Sequence, residues 1–380
     1  MADPTETVTW QEDGGSFTMQ WQSETGLPPP TRIEIVDDTT TADAAYLMAC
    51  AGTAMLWRGD YHNARQLLQA VARRFDRPST KRKKPGRPLT LTEQFHLHRQ
   101  VQAQRARALG RLLLPFNADH TLSLRRAPDV RAACQLVYGE RTLPYVATLR
   151  ELLGILGAHQ WRDKGVAVAA LGTAIHPHYG VFAPVRGEYV DLVAQAPLAD
   201  LSLAFDIGTG TGVLAAVLLK RGMQRVVATD RDPRALACAA DNLARLELAD
   251  RAEVVDCDLF PPGQAPLIVC NPPWLPGKPS SALEQAIYDP DSRMLRGFLA
   301  GLAAHLTADG QGWLILSDLA EHLGLRSRET LLGWMAAAGL VVERRDEAKP
   351  RHPKAQDAQD PLHVARVAEV TGLWVLRRAR

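Results

Sequence analysis

The sequence predicts an α/β fold: a doubly wound, mostly parallel sheet in the carboxyl-terminal half, preceded by a mixed, mainly helical module. Three observations predict it. Short apolar runs alternate with helix-like stretches from about residue 200 onward. One run passes directly into a glycine-rich turn, DIGTGTG at Asp206 to Gly212. Another ends in CNPPW at Cys270 to Trp274. The patterning divides the chain into an accessory module (1–115), a helical connector with a hairpin (116–195) and a main domain (196–380).

At the amino terminus, Val8 to Gln22 alternates around Asp13-Gly14-Gly15, which is a hairpin pattern. Thr31 to Val36 reads as a third strand. Thr41 to Arg58, Tyr61 to Phe75 and Thr92 to Leu114 read as helices, with Thr41 or Asp43 as a cap for the first. From Arg73 to Arg87 there are eight Lys or Arg residues and one Asp. The core of this stretch, KRKKPGRP at Lys81 to Pro88, is similar to an AT-hook, whose extended arginine enters the narrow minor groove of DNA. The same loop suits RNA phosphates. A solvated basic linker is the simpler account, and a net charge of +2 implies no broad basic surface. Ala127 to Gly157 reads as a helical joining segment. The hairpin IHPHYG follows, where His176 and His178 lack a third ligand; a surface turn is expected and no metal site.

The main domain is more explicit. Leu201 to Ile207 reads as a buried parallel strand, and Val213 to Arg221 as the helix after the turn. Gly208, Gly210 and Gly212 permit positive φ and a close ligand approach, with Thr209 and Thr211 between them. A second strand, Arg225 to Thr229, ends at Asp230, where a carboxylate can accept both hydroxyls of a ribose. A plain tight turn also accounts for the glycines, and dehydrogenases use a similar loop. Pro233 to Leu246 reads as a helix and Glu253 to Asp256 as a strand. Leu267 to Cys270 reads as the strand before Asn271, Pro272, Pro273 and Trp274. Two prolines stiffen that turn. The Asn271 side-chain oxygen and the Pro272 carbonyl can accept the two N–H groups of a planar nitrogen, and Trp274 can stack on its flat face. A proline turn with a core tryptophan is the plainer alternative. Beyond it, Asp289, Asp291 and Arg293 lie near the turn, with a helix cap by Asp289 or Asp291 as their simplest use. Asp291 to Leu306 and Arg326 to Ala338 read as helices. Gly312 to Ser317, Leu340 to Arg344 and Val364 to Leu376 read as strands. The charged loop Glu347 to Asp360 is expected to be exposed beside the cleft.

Composition fits a two-domain cytoplasmic enzyme. Of 380 residues, 46% are hydrophobic and 23% charged, and no run of 18 apolar residues suggests a membrane span. The opening MADPTETVTW lacks a signal-peptide pattern. The five cysteines show neither Cys-x-x-Cys pairing nor metal spacing, so they read as reduced thiols.

Together the two motifs resemble the class I methyltransferases, within the group whose fourth strand ends in (Asn/Asp)-Pro-Pro-aromatic. That group holds adenine and guanine N-methyltransferases of DNA and RNA, and the HemK-like release-factor glutamine methyltransferases. The segment GVFAPVRGEYVDLV, Gly180 to Val193, is similar to the HemK-like element before the cofactor strand, with Pro184, Arg186 and Glu188 in matching places. The resemblance covers about residues 150 to 378. It implies a Rossmann-like class I methyltransferase domain, with a seven-stranded, mostly parallel sheet and an antiparallel terminal hairpin. It implies S-adenosyl-L-methionine as cofactor, held by Asp206 to Gly212, Asp230, Asp258, Leu259 and Asn271. It makes Asn271 to Trp274 the catalytic turn, and Arg186 and Glu188 substrate-side residues, although an Arg186–Glu188 ion pair explains these two equally well. The acceptor it implies is an exocyclic planar nitrogen on a macromolecule: a protein glutamine amide, or alternatively a base amino group of RNA or DNA. The chain departs from the HemK-like pattern at Trp274, where tyrosine is usual, and at Leu259, where an aromatic is usual. Two readings from other classes remain. A nicotinamide-dependent oxidoreductase explains the glycine loop and Asp230 but leaves Asn271 to Trp274 without a use. A non-catalytic binding module disagrees with the intact glycines, Asp230 and Asn271.

Overall fold

In the computed structural model, residues 6–76, 87–279, 281–351 and 357–379 are described. The contacts divide the chain into two units: residues 1–88 with 97–160, and residues 89–96 with 161–380. Neither expected boundary, at 115/116 or 195/196, is a division between them. The basic loop Lys81 to Gly86 lies outside the described residues.

The first unit is built on a sheet. Asp13 and Gly14 both take positive φ, as a two-residue hairpin turn requires, and join β1 (Thr7–Glu12) to β2 (Gly15–Trp21). Next come β3 (Ile33–Val36), α1 (Ala42–Cys50), β4 (Ala54–Trp57), α2 (Tyr61–Phe75), α3 (Leu91–Leu109), β5 (Leu112–Phe116), α4 (Arg131–Tyr138), β6 (Tyr145–Thr148) and α5 (Leu149–Lys164). The six strands are ordered β1-β2-β6-β5-β4-β3. The module is therefore mixed, as expected, but its helices flank a six-stranded sheet rather than a hairpin with one further strand. The stretches 41–58, 92–114 and 127–157 each hold a strand within what reads as helix. The cause is burial: AMLW, LLLPF and YVAT are apolar without alternation, and such strands imitate helix in sequence. Gly52, at φ +81, ends α1 ahead of β4, and Thr41 does cap α1, accepting from the Ala44 N–H. Trp57 is 1% exposed, and its indole donates to the Asp60 carbonyl. Trp57→Ala should cost about 3–5 kcal/mol of stability in urea unfolding; a loss near zero would show that Trp57 is not part of this core.

In the second unit a short hairpin, β7 (Val166–Val168) and β8 (Thr173–Ile175), precedes α6 (Glu188–Gln195). Then follow β9 (Leu203–Ile207), α7 (Val213–Lys220), β10 (Arg225–Asp230), α8 (Pro233–Arg245), β11 (Ala252–Asp256) and β12 (Ala265–Cys270). Next are β13 (Leu275–Pro276), α9 (Ala282–Gln285), β14 (Tyr288–Asp289), α10 (Arg293–His305), β15 (Leu306–Ser317) and α11 (Leu319–His322). The chain closes with α12 (Arg328–Ala337), β16 (Leu340–Ala348), α13 (His363–Ala368) and β17 (Thr371–Arg378). The start of the expected last strand is thus a helix, α13. The large sheet runs β11-β10-β9-β12-β15-β17-β16, with β17 antiparallel to both neighbours. Strand order reverses between β9 and β12, and ligands bind at such a switch point in open α/β sheets. Apolar clusters fill both faces: α6 and α7 cover one, α10 and α12 the other. Seven strands, mostly parallel, with an antiparallel terminal hairpin, are what the resemblance to the class I methyltransferases implies.

Candidate active site

β9 and β12 are paired, with Ile207 opposite Cys270. The glycine turn and the Asn-Pro-Pro-Trp turn therefore leave the sheet side by side, although about sixty residues separate them.

The glycine turn is built from its own acid. Asp206 is buried at the end of β9. One of its oxygens accepts from the Thr209 hydroxyl at 2.6 Å and the Ala215 N–H at 3.1 Å, tying the turn to α7. Gly208, Gly210 and Gly212 all take positive φ. A Cβ on Gly208 would collide with the Met294 methyl, and one on Gly212 would press on Ala239 at about 3.1 Å. A Cβ on Gly210 would meet nothing within 4 Å, so that backbone face is open. Burial pushes the Asp206 carboxyl up to about 6, opposed by its two hydrogen bonds, with the nearby Asp230 charge adding to the rise. A raised carboxyl stabilises the fold at low pH, and this contribution is lost as pH rises through about 6. Asp206→Asn should therefore gain stability relative to the unsubstituted protein between about pH 4 and pH 8 in urea unfolding. A pH-independent difference would show that Asp206 ionises in the fold as it does in the unfolded chain.

Asp230 ends β10 beside this turn. One oxygen accepts from the Gly210 N–H at 3.0 Å; the other accepts from the N–H groups of Arg231 at 2.8 Å and Asp232 at 3.0 Å. Burial raises this carboxyl as well. Asp258 lies one strand further out and is exposed. It accepts from Arg231 Nη1 at 3.2 Å and Arg293 Nη2 at 2.8 Å, so two arginines hold it. Leu259 takes φ +75, and its carbonyl accepts from the Thr229 hydroxyl.

The second turn carries a contact that the sequence does not announce. The Trp274 indole N–H donates to Asn271 Oδ1 at 2.8 Å. Trp274 is half-buried and packs against the clusters of both sheet faces. Behind it, Arg326 is 6% exposed, with Nη2 3.4 Å from the Trp274 carbonyl and Nη1 3.5 Å from Ser292 Oγ. Asp289 does serve α10 as a cap, accepting from the N–H groups of Met294 and Leu295 at 3.1 and 3.2 Å. Asp291 and Ser292 sit in the left-handed region just before that helix, a conformation that costs non-glycine residues free energy.

Arg186 does not pair with Glu188. Its Nη1 lies 3.2 Å from Glu369, which is 183 residues away and also accepts from Ser317 Oγ at 2.7 Å. Glu188 is 1% exposed, and among the described residues its Oε1 has no hydrogen-bond partner. His176 and His178 do not form a free surface turn. His176 bonds to Asn242 and to the Arg162 carbonyl, and His178 Nε2 lies 3.1 Å from Asp241, which pins the loop to α8. No described helix is long and apolar enough to cross a membrane. Sequence reasoning missed Met294, Arg326, Ser317 and Glu369. None has a local motif in the sequence.

Residues 174–324 match the family model of the methyltransferase small domain. The release factor glutamine methyltransferase of Cereibacter sphaeroides is 32% identical over 170 residues, covering 41% of this chain and 59% of that protein. A tRNA1(Val) (adenine(37)-N6)-methyltransferase of Shewanella halifaxensis is 28% identical over 141 residues, covering 35% and 57%. A ribosomal protein L11 methyltransferase of Pelobacter propionicus is 39% identical over 113 residues, covering 29% and 34%. The chain thus spans less than two thirds of the length of each of these relatives. The match to the methyltransferase small domain thus spans both the glycine turn and the Asn-Pro-Pro-Trp turn.

Proposed function

We propose that this chain is an S-adenosyl-L-methionine-dependent N-methyltransferase acting on an exocyclic planar nitrogen of a macromolecule. The observation that carries this reading is the pairing of Ile207 with Cys270, which sets a nucleotide-type glycine turn beside Asn271 to Trp274. The residues fit the cofactor. Gly210 leaves open backbone, Asp230 would accept ribose hydroxyls, and Asp258 and Leu259 would border the adenine. When bound, the cofactor supplies an electrophilic methyl group. The chain's own part is to hold the acceptor. Asn271 Oδ1 and the Pro272 carbonyl accept its N–H groups and leave the nitrogen lone pair free as nucleophile. No strong base is needed: positioning and electrostatics supply the rate, and the proton that the nitrogen sheds on methylation passes to solvent.

The acceptor favoured is a protein glutamine amide, supported by the similarity to a release factor glutamine methyltransferase and by Pro184, Arg186 and Glu188 in the segment that leads into α6. A second reading, a base amino group of RNA or DNA, has its own observation. Phe95 packs with Leu275, the residue after Trp274, and Leu89 to His96 directly follow the basic stretch. The tRNA adenine methyltransferase similarity agrees with it. Radiolabelled methyl transfer into a lysate, followed by protease or nuclease, tests both. Label lost to protease supports the glutamine reading, and label lost to nuclease replaces it with the base reading. No incorporated label contradicts the activity.

A further inference from the structure

We infer that the Trp274 indole N–H sets the orientation of the Asn271 carboxamide and so selects acceptors that present an N–H group. The inference rests on the N-methyltransferase reading above and assigns this side chain a role other than stacking. A carboxamide offers an acceptor oxygen on one edge and a donor NH2 on the other. Rotation by half a turn exchanges them at little steric cost. Something must therefore break the symmetry if Asn271 is to act as an acceptor.

Among the described residues, the one hydrogen bond to the Asn271 side chain is the indole N–H on Oδ1, at 2.8 Å. A flipped amide would set N–H against N–H. The indole cannot easily turn away, because Trp274 is packed against both core clusters and Leu275 is bonded through its N–H to the Ile287 carbonyl. Arg326, buried behind the turn, lies against the Trp274 carbonyl. With one lone pair of Oδ1 taken, the second remains for the acceptor's N–H. An amide or amino nitrogen satisfies that position. A carbonyl oxygen or a ring nitrogen without hydrogen would face a lone pair and be rejected, since an unmet buried polar group is costly. A phenylalanine ring at this position carries no donor and leaves the amide free to flip.

The test uses the full chain as wild type, W274F, N271D and the double variant. A carboxylate has two equivalent oxygens and needs no orientation. W274F should therefore lower methyl incorporation from labelled S-adenosylmethionine into lysate by about 3- to 10-fold in the Asn271 background. In the N271D background it should change it by less than about twofold. Within each background, W274F should leave S-adenosylhomocysteine affinity unchanged. Equal losses in both backgrounds would mean that Trp274 acts by packing or stacking, and would overturn the inference. A wild type that transfers no methyl group would sink the activity reading instead. Exchange of the Trp274 indole proton, assigned in 15N spectra by its loss in W274F, is independent of turnover. Its protection should fall in N271A; unchanged protection would overturn the orienting role whatever the activity.

Discussion

Asn271→Ala is expected to lower methyl transfer by about 10²- to 10³-fold while S-adenosylhomocysteine binds within about twofold of its wild-type affinity. Asn271 stands at the end of β12, outside the apolar clusters. Its one described side-chain bond is from Trp274. Truncation removes an acceptor for the nucleophile's N–H and frees the indole, yet leaves the glycine turn, which is held by Asp206, Thr209 and Asp230. The effect should therefore fall on turnover. The paired measurements are a single-turnover methyl-transfer rate and a calorimetric titration. Wild-type turnover in the variant would show that the acceptor is held elsewhere. A lost titration signal would place Asn271 in the cofactor site instead.

The second large effect is expected at Asp230. Charge-assisted hydrogen bonds contribute about 1.5–3 kcal/mol each. Losing two from a ribose would weaken cofactor binding by roughly 10²- to 10⁴-fold in Asp230→Ala. The carboxylate also holds three backbone N–H groups, of Gly210, Arg231 and Asp232. Part of the loss will accordingly come from a looser turn. Asp230→Asn separates the two contributions, since it keeps one acceptor oxygen. The pH dependence has a definite sign. Burial raises the Asp230 carboxyl, and the charged form is the better acceptor. Affinity for S-adenosylhomocysteine should fall as pH drops through that raised value, and the Asp230→Ala variant should lack the decline. An affinity unchanged by Asp230→Ala would show that the ribose is held by other groups.

Local chemistry was legible in the sequence, and distant packing was not. The DIGTGTG turn could be read because its glycines, its acid and the following helix are contiguous, and the strand ending at Asp230 followed within one supersecondary unit. Asp289 as a cap was legible for the same reason. The strands AMLW, LLLPF and YVAT read as parts of helices because a strand buried on both faces loses its period of two. With β4, β5 and β6 hidden, the six-stranded sheet reads as a hairpin and one further strand among helices, and the contacts divide the chain within α5 rather than at residue 115. For Arg186, an ion pair with its near neighbour Glu188 is one of two local readings, whereas the fold brings Glu369 to it across 183 residues. The Trp274–Asn271 bond spans only three residues, yet it depends on how the proline turn rotates the indole. Residue identity alone does not specify that rotation.

The most direct test of the central claim is calorimetric titration of the purified chain with S-adenosylhomocysteine, with NADH in parallel. Saturable binding of S-adenosylhomocysteine, lost in Asp230→Ala, together with no binding of NADH, is the expected result. Binding of NADH without S-adenosylhomocysteine would contradict it and return the glycine turn to the oxidoreductases.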